Sequence, residues 1–264
     1  MMPPNGSNAA DPISDTGTRE SRPPLLRCSG VTHEYRRGTA SRLPWNRAAE
    51  SPSVTALRDV SLGVTRGEVV GIAGPSGSGK STLLHLIAGL TTPSAGLVEL
   101  AGNDLSEQSA SQRARLRRQH IGFIFQRFHL LGSLSARANV ALPLVPTDAG
   151  RRERRERATE LLERVGLGDR IGHQPGELSG GEQQRVAVAR ALVTDPSVVL
   201  ADEPTGELDT ETSEQVLEAL LEASADRAIV IASHDPVALD VTDRIVRLRD
   251  GRVTSSSRAE TDGE

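Results

Sequence analysis

At 264 residues, with 25% charged and 36% apolar, the chain has an ordinary globular balance and the length for one large domain or two small ones. Its formal net charge of -4 gives no sign of a nucleic-acid-binding protein, and its one cysteine, Cys28, excludes an internal disulfide and a cysteine-built zinc site. No apolar run approaches the ~18 residues that span a bilayer, and the first residues lack the apolar core of a signal peptide, so a cytoplasmic chain is expected.

In chain order, residues 1–24 are rich in Pro, Ser, Gly and Asp and poor in apolar residues, and predict a disordered tail because they bury too little to offset ordering. Leu57 to Val64 (LRDVSLGV) alternates and predicts an antiparallel edge strand. Three short β-branched runs, Glu68 to Gly74, Ser197 to Asp202 and Ala228 to His234, read as strands buried on both faces, hence parallel. Helical patterns lie between them at Ser81 to Ala88, Arg151 to Val165, Glu182 to Val193 and Thr212 to Glu222, and that alternation predicts an α/β fold with a mostly parallel sheet. RRERRER, Arg151 to Arg157, interleaves Glu153 and Glu156 with arginines and reads as a solvated helix face with local ion pairs. Asp250-Gly251 between two short extended runs predicts a terminal hairpin. Residues 254–264 predict a second disordered tail.

GPSGSGKST, comprising Gly74, Pro75, Ser76, Gly77, Ser78, Gly79, Lys80, Ser81 and Thr82, follows a buried strand and opens an amphipathic helix. That is the context in which a G-x-x-x-x-G-K-[ST] pattern has mechanical meaning. The glycines let backbone N–H groups turn inward onto phosphate oxygens, and the helix adds its positive end. Lys80 then reaches the β- and γ-phosphates of a nucleotide and the Ser81 hydroxyl reaches Mg²⁺. VVLADEPT ends a buried strand in Asp202 and Glu203, two acids that need a cation or a substrate to be buried together. At the carboxyl end of a parallel strand they fall beside the phosphate loop, with Asp202 a direct or indirect partner of Mg²⁺ and Glu203 placed to polarise an attacking water. His234 follows a third buried strand, where it is either a structural hydrogen-bonder or a contact to the γ-phosphate. Gln126, in GFIFQRF, is either a plain strand-end glutamine or part of the same edge.

ELSGGEQQRVAVARAL adds a second anion loop. Ser179, Gly180, Gly181 and Glu182 form an S-x-x-E capping box at a helix start, whose free N–H groups favour an anion.

Together these residues resemble the nucleotide-binding subunit of an ABC transporter, over about Leu25 to Val253. The resemblance makes Gly74 to Thr82 the Walker A motif, VVLADE the Walker B motif, LSGGE the signature motif, Gln126 the Q-loop glutamine, His234 the switch histidine, Asp209 of GELD a D-loop residue at a dimer interface, and Tyr35 the aromatic that stacks on adenine. It implies a P-loop NTPase core, an N-terminal antiparallel β subdomain and a helical subdomain inserted at about 127–178, where a permease would dock. It implies ATP and Mg²⁺ as cofactors, with Gln126 beside Ser81 and Asp202 at the metal, and Glu203, Gln126 and His234 as catalytic residues. It further implies a homodimer in which the signature loop of one copy closes over the ATP of the other, an integral membrane permease as partner, and a peripheral place on the inner face of the cell membrane. Stretches such as LRRQHIGFIFQRFHLLGSLSARANVALPL and DRIVRLRDGRV are similar to the ATPases of lipoprotein release, macrolide-type export and antimicrobial-peptide resistance. Two positions depart from that group, Glu207 where it usually has Asn and Ser233 where it has Thr, and the stretch Arg36 to Thr55, containing Trp45, is longer than usual. ATP cycling that signals to a cell-wall or division complex, and a soluble ATPase acting on nucleic acid or ribosomes, are the other readings; a single cassette without zinc module or heptad arm disfavours the latter.

Overall fold

The computed structural model describes residues 23–36, 53–224 and 226–258. The chain runs β1 (Leu26–Arg36), β2 (Ser53–Val64), β3 (Val69–Ala73), α1 (Lys80–Ile87), β4 (Ala95–Leu100), β5 (Asn103–Asp104), α2 (Ala110–His120) and β6 (Ile121–Ile124). It continues through α3 (Ala136–Ala141), α4 (Arg151–Arg164), α5 (Gly180–Leu192), β7 (Val198–Asp202), α6 (Thr210–Ala223), β8 (Ala228–Ser233), α7 (Pro236–Asp240), β9 (Arg244–Arg249) and β10 (Arg252–Arg258). Short 3₁₀ turns at Leu142–Leu144, Gly168–Arg170 and Pro175–Glu177 link the helices between β6 and α5.

Two sheets result. A six-stranded sheet has the order β10-β9-β3-β8-β7-β6, parallel except for the terminal β9–β10 pair, and a four-stranded antiparallel sheet has the order β2-β1-β4-β5. β8 explains why the strands read as continuous apolar runs. Its Ala228, Val230 and Ala232 pack into a core shared with α1 and the antiparallel sheet, while Ile229 and Ile231 pack into a second core with the helices α3 to α6. Both faces are therefore dry, and each fully buried Val or Ile contributes about 1.5–3 kcal/mol. α1 lies between the sheets, with Leu83, Leu84, Leu86 and Ile87 all fully buried.

The antiparallel sheet places Leu57 to Val64 on an edge strand, β2. The long stretch after Tyr35 is the connection of the β1–β2 hairpin, whose flanking pairs are Tyr35–Val54 and Arg36–Ser53. Residues 37–52, with Trp45, lie outside the described residues, as do 1–22 and 259–264.

The expectation of disorder from residue 254 is corrected. β10 continues to Arg258, paired with β9 beyond the predicted turn. Asp250 (φ 49) and Gly251 (φ 75) both take the left-handed conformation that such a hairpin turn requires. Thr254 to Ser257 are exposed, so no apolar alternation marks the strand; the ladder with β9 supplies the stabilisation that composition omits.

Candidate active site

Register brings the site together. Ala73 of β3 is level with Ser233 of β8, Asp202 of β7 with Ala232, and Ile124 of β6 with Ala201. The residues that follow four adjacent parallel strands, namely the Gly74 loop, His234, Glu203 and, one residue further on, Gln126, thus leave one edge of the sheet. Ligands of open parallel sheets bind beyond such carboxyl ends.

The first loop is shaped by close backbone approach. Gly79 has φ 106, and a Cβ there would come within 2.7 Å of the Ala56 carbonyl oxygen and of Leu57. The Gly251 N–H donates to the Ser78 carbonyl (3.0 Å) and the Arg58 N–H to the Gly251 carbonyl (2.7 Å), so β2 and the β9–β10 turn hold the loop from outside. At its end Lys80 is buried as the first residue of α1. Its Nζ donates to the carbonyls of Gly74 (2.8 Å) and Pro75 (3.4 Å) and lies 3.3 Å from Glu203 Oε1.

Glu203 is the hub of the site. It is buried, has φ 48, and its N–H donates to the Ala232 carbonyl at 2.8 Å. Ser233 Oγ donates to Oε2 (3.0 Å), the His234 N–H reaches the same oxygen (3.4 Å), and His234 Nδ1 lies 3.0 Å from both carboxylate oxygens. Burial would raise its pKa, but hydrogen bonds from His234 and Ser233 and the charges of Lys80 and His234 outweigh that and hold the carboxyl below the ordinary glutamate range. Asp202 goes the other way. Burial lifts it above the ordinary aspartate range, and the bond from Ser81 with the charges of His85 and Lys80 does not cancel that lift. Ser81 Oγ donates to Asp202 Oδ1 at 3.1 Å.

Two observations test the loop and the acids against a nucleotide and Mg²⁺. Ser78 Oγ, inside the loop, is buried without a hydrogen-bond partner, so the loop holds a donor with no acceptor of its own. Ser81 and Asp202 form a hydroxyl–carboxylate oxygen pair at hydrogen-bond distance, a donor set suited to a hard cation that keeps waters and substrate phosphates as its other ligands. The residues present fit both groups.

Tyr35 stands at the mouth of the loop, 44% exposed, with its hydroxyl 3.4 Å from Thr82 Oγ1 and its ring edge-on to His33 at 4.7 Å. Gln126 is exposed just beyond β6, with its Nε2 near Gly206. Among the described residues no hydrogen bond joins it to Ser81, Asp202 or Glu203.

The second loop is a complete capping box. Ser179 Oγ accepts from the Glu182 N–H (3.2 Å) and Glu182 Oε2 accepts from the Ser179 N–H (2.8 Å). That N–H, with Arg170 at 3.1 Å from Oε1, holds Glu182 below the usual carboxylate range. A Cβ on Gly181 would come within 2.2 Å of Thr212 Cγ2, and one on Gly180 would sit tightly, at 3.3 Å, against the Leu208 side chain. Asp209 caps α6, accepting from the N–H (2.9 Å) and hydroxyl (2.8 Å) of Thr212, and is exposed. Among the described residues no hydrogen bond or ion pair joins Gly74 to Thr82 with Ser179 to Glu182.

Several contributors escape a sequence reading. Ser233 is visible there only as an atypical residue, and Asp235 and Thr205, bonded at 3.0 Å, brace the segment behind it. Asn139 is fully buried and bonds the backbone of Leu131, Leu134 and Ser135, while Arg190 bonds the carbonyls of Phe128 (2.7 Å) and His129 (2.6 Å). These two side chains pin the loop after Gln126. A buried asparagine inside an otherwise apolar helix pattern is the one signal that could have found the first.

A phosphate loop and, beside it at one sheet edge, an acid pair whose glutamate is held by Lys80, Ser233 and His234 define a P-loop nucleotide hydrolase. Residues 57–206 match the family described as "ABC transporter". The chain belongs to that family and is an ATPase cassette of it. It is 47% identical over 202 residues to the uncharacterized ABC transporter ATP-binding protein YknY of Bacillus subtilis, covering 76% of this chain and 88% of that one. It is 44% identical over 234 residues to the macrolide export ATP-binding/permease protein MacB 1 of Yersinia pestis, covering 88% of this chain and 34% of that one. The chain thus spans about a third of the length of the MacB relatives it matches. The dimeric post-hydrolysis structure of the ATP-binding cassette MJ0796, bound to ADP and Pi, superposes with a TM-score of 0.77 at 36% identity, covering 89% of this chain and 99% of that one.

Proposed function

We propose that two copies of this ATPase pair head to tail, each completing the other's nucleotide site, and that the cycle drives a separate integral membrane permease from the inner face of the cell membrane. The observation that supports this most is the presence of two formed anion loops in one chain that do not engage each other. A twofold pair makes both sites complete and closed. The dimeric MJ0796 cassette and the ATP-binding/permease makeup of the MacB relatives support the pairing and the membrane partner. Among the described residues no helix is long and apolar enough to cross a membrane.

In this reading the backbone of Gly74 to Thr82 and Lys80 bind the phosphates, Tyr35 stacks on the adenine, and Ser81 and Asp202 hold Mg²⁺, with Gln126 moving in beside them. Mg²⁺, when bound, offsets charge on the β- and γ-phosphate oxygens. Phosphates drawing Lys80 toward them loosen its contact with Glu203 Oε1, which then takes a proton from the attacking water. Ser233 keeps the other oxygen in place, and His234 orients the carboxylate and faces the γ-phosphate. Ser179 to Glu182 of the partner copy close over that phosphate, with Asp209 at the interface. Residues of about 127–178 form the surface on which the permease docks, and no nucleic acid takes part.

Mixed dimers test the shared site. One copy has Lys80→Ala and the other Ser179→Arg, each inactive as a homodimer. One of the two sites then combines both defects and the other has none, so about one vanadate-trapped nucleotide per mixed dimer is expected. If both loops served one ATP within one chain, each site would have a defect and none would be trapped.

A further inference from the structure

α5 is buried along most of its length. Val186 to Ala189, Ala191 and Leu192 are buried, and one amide side chain, Gln184, is fully buried among them. A glutamine is rarely taken so deep unless its amide is used. Its Nε2 donates to the carbonyl of Pro204 at 2.7 Å, while its Oε1 has no partner among the described residues. Turning the amide over would set oxygen against oxygen, so the carbonyl it meets fixes its orientation. The side chain is therefore kept in the core for one bond, and that bond ends one residue past Glu203.

The backbone at Glu203 needs holding. It takes φ 48, a left-handed conformation that a side chain disfavours, and it precedes a proline, which steers its neighbour towards extended backbone. Such backbone persists where the surroundings over-determine it. Three ties belong to β8, the turn after it and the segment itself: the Glu203 N–H on the Ala232 carbonyl (2.8 Å), Thr205 Oγ1 on Asp235 Oδ2 (3.0 Å) and the Gly206 N–H on the Glu203 carbonyl (3.2 Å). Gln184 supplies the fourth. Pro204 is buried, and among the described residues its carbonyl accepts no backbone N–H, so the amide fixes how the chain leaves Glu203. The same helix opens with the Ser179 to Glu182 loop, whose Gly180 and Gly181 lie against Leu208 and Thr212 further along the segment. One helix thus presents the second anion loop and grips the residues that follow Glu203.

We propose that Gln184 is a positioning residue for Glu203: its amide holds the Pro204 carbonyl and so aims the carboxylate that takes the proton from the attacking water. This rests on the reading of Glu203 as the base. It adds a rigid link from the loop that closes on the partner copy's nucleotide to the base that serves the chain's own.

The test is Gln184→Met in the full chain. Met has the same length and no donor. It leaves the Pro204 carbonyl without a partner but removes the unpartnered Oε1, so the number of unsatisfied buried acceptors is unchanged and the variant should fold. Single-turnover phosphate release should slow at least ~10-fold, the cost of a misaimed group, while ATP affinity by fluorescence titration stays within ~2-fold of wild type. In a Glu203→Gln background the same substitution should change the residual rate less than ~2-fold, because the group it positions is already gone. Gln184→Leu, smaller and also without a donor, repeats the measurement if thermal melts show that Gln184→Met is not folded. An unchanged rate, a rate and an affinity that fall together, an equal loss in the Glu203→Gln background, or failure of both variants to fold overturns the proposal. Wild-type hydrolysis by Glu203→Gln alone removes the reading beneath it, whereas an inactive Glu203→Gln beside a fully active Gln184→Met removes this inference only.

Discussion

Replacing Glu203 by Gln separates two roles that the structure concentrates on one carboxylate. Gln is nearly isosteric, and its amide oxygen still accepts from Ser233, so the loop after β7 keeps its shape. What is lost is the proton acceptor. Loss of a positioned base typically slows turnover by about 10²–10⁴, or about 3–5 kcal/mol in the barrier. Binding should move the opposite way. The Lys80 ammonium is shared between the Gly74 and Pro75 carbonyls and Glu203 Oε1 at 3.3 Å, and nucleotide phosphates compete with that carboxylate. A charge-assisted contact is worth about 1.5–3 kcal/mol, and this one is long, so removing the competitor should tighten ATP binding by about 1 kcal/mol, or roughly 5-fold. The assays are phosphate release, fluorescence titration with ATP, and gel filtration in ATP, where the variant should elute as a stable dimer. Hydrolysis within tenfold of wild type would place the base elsewhere. ATP binding weakened as far as in Lys80→Ala would mean that Glu203 supports the phosphate loop rather than competing for its lysine.

Lys80 is the only lysine in the chain and is 7% exposed, so an amine-selective acylating reagent should abolish ATPase activity in step with modification at that residue, and ATP should protect it; activity retained with Lys80 fully acylated contradicts its role. Tyr35→Ala should weaken ATP binding by roughly 1–3 kcal/mol, the worth of one base-stacking face, by titration; an unchanged affinity moves the adenine contact to another aromatic such as Trp45. Glu68 accepts from the Thr65 N–H (2.8 Å) and from Arg244 (2.8 and 3.0 Å), while Arg244 also bonds the Gly63 carbonyl (2.8 Å), tying β2 to β3 and β9. Burial opposes ionisation of Glu68, but these bonds hold its pKa below the ordinary value, so its contribution is complete above the usual glutamate range and lost as pH falls through the depressed folded value. Glu68→Gln should therefore lower stability by about 1–2 kcal/mol near neutral pH, a Tm fall of roughly 2–8 °C, with the gap to wild type closing in acid; thermal melts showing a gap that widens in acid would reverse the sign of the argument.

Properties that depend on a few consecutive residues are legible in the sequence. A strand feeding glycines into a helix that starts with Lys80 can make only a narrow range of anion-binding loops, and the Ser179–Glu182 spacing is one helical turn, so both loops follow from local backbone geometry. Continuous β-branched runs announce strands buried on both faces, and with them the parallel sheet. The site around Glu203 has a different origin. Lys80, Ser233 and His234 meet its carboxylate from 30 to more than 100 residues away in the chain because the strands take the order β9-β3-β8-β7-β6 with their ends level. Strand order depends on which apolar faces share a core, and apolar runs of similar composition are interchangeable until they pack. The continuation of β10 beyond Val253 is invisible for a related reason, since an exposed polar edge strand draws its stability from a neighbour's hydrogen bonds rather than from its own side chains. RRERRER shows the same division within a single helix: the i,i+4 spacing determines which glutamates can pair with which arginines, but only the packing of α4 beside α3 decides that Arg154 is half-buried while Arg151 and Arg155 stay exposed.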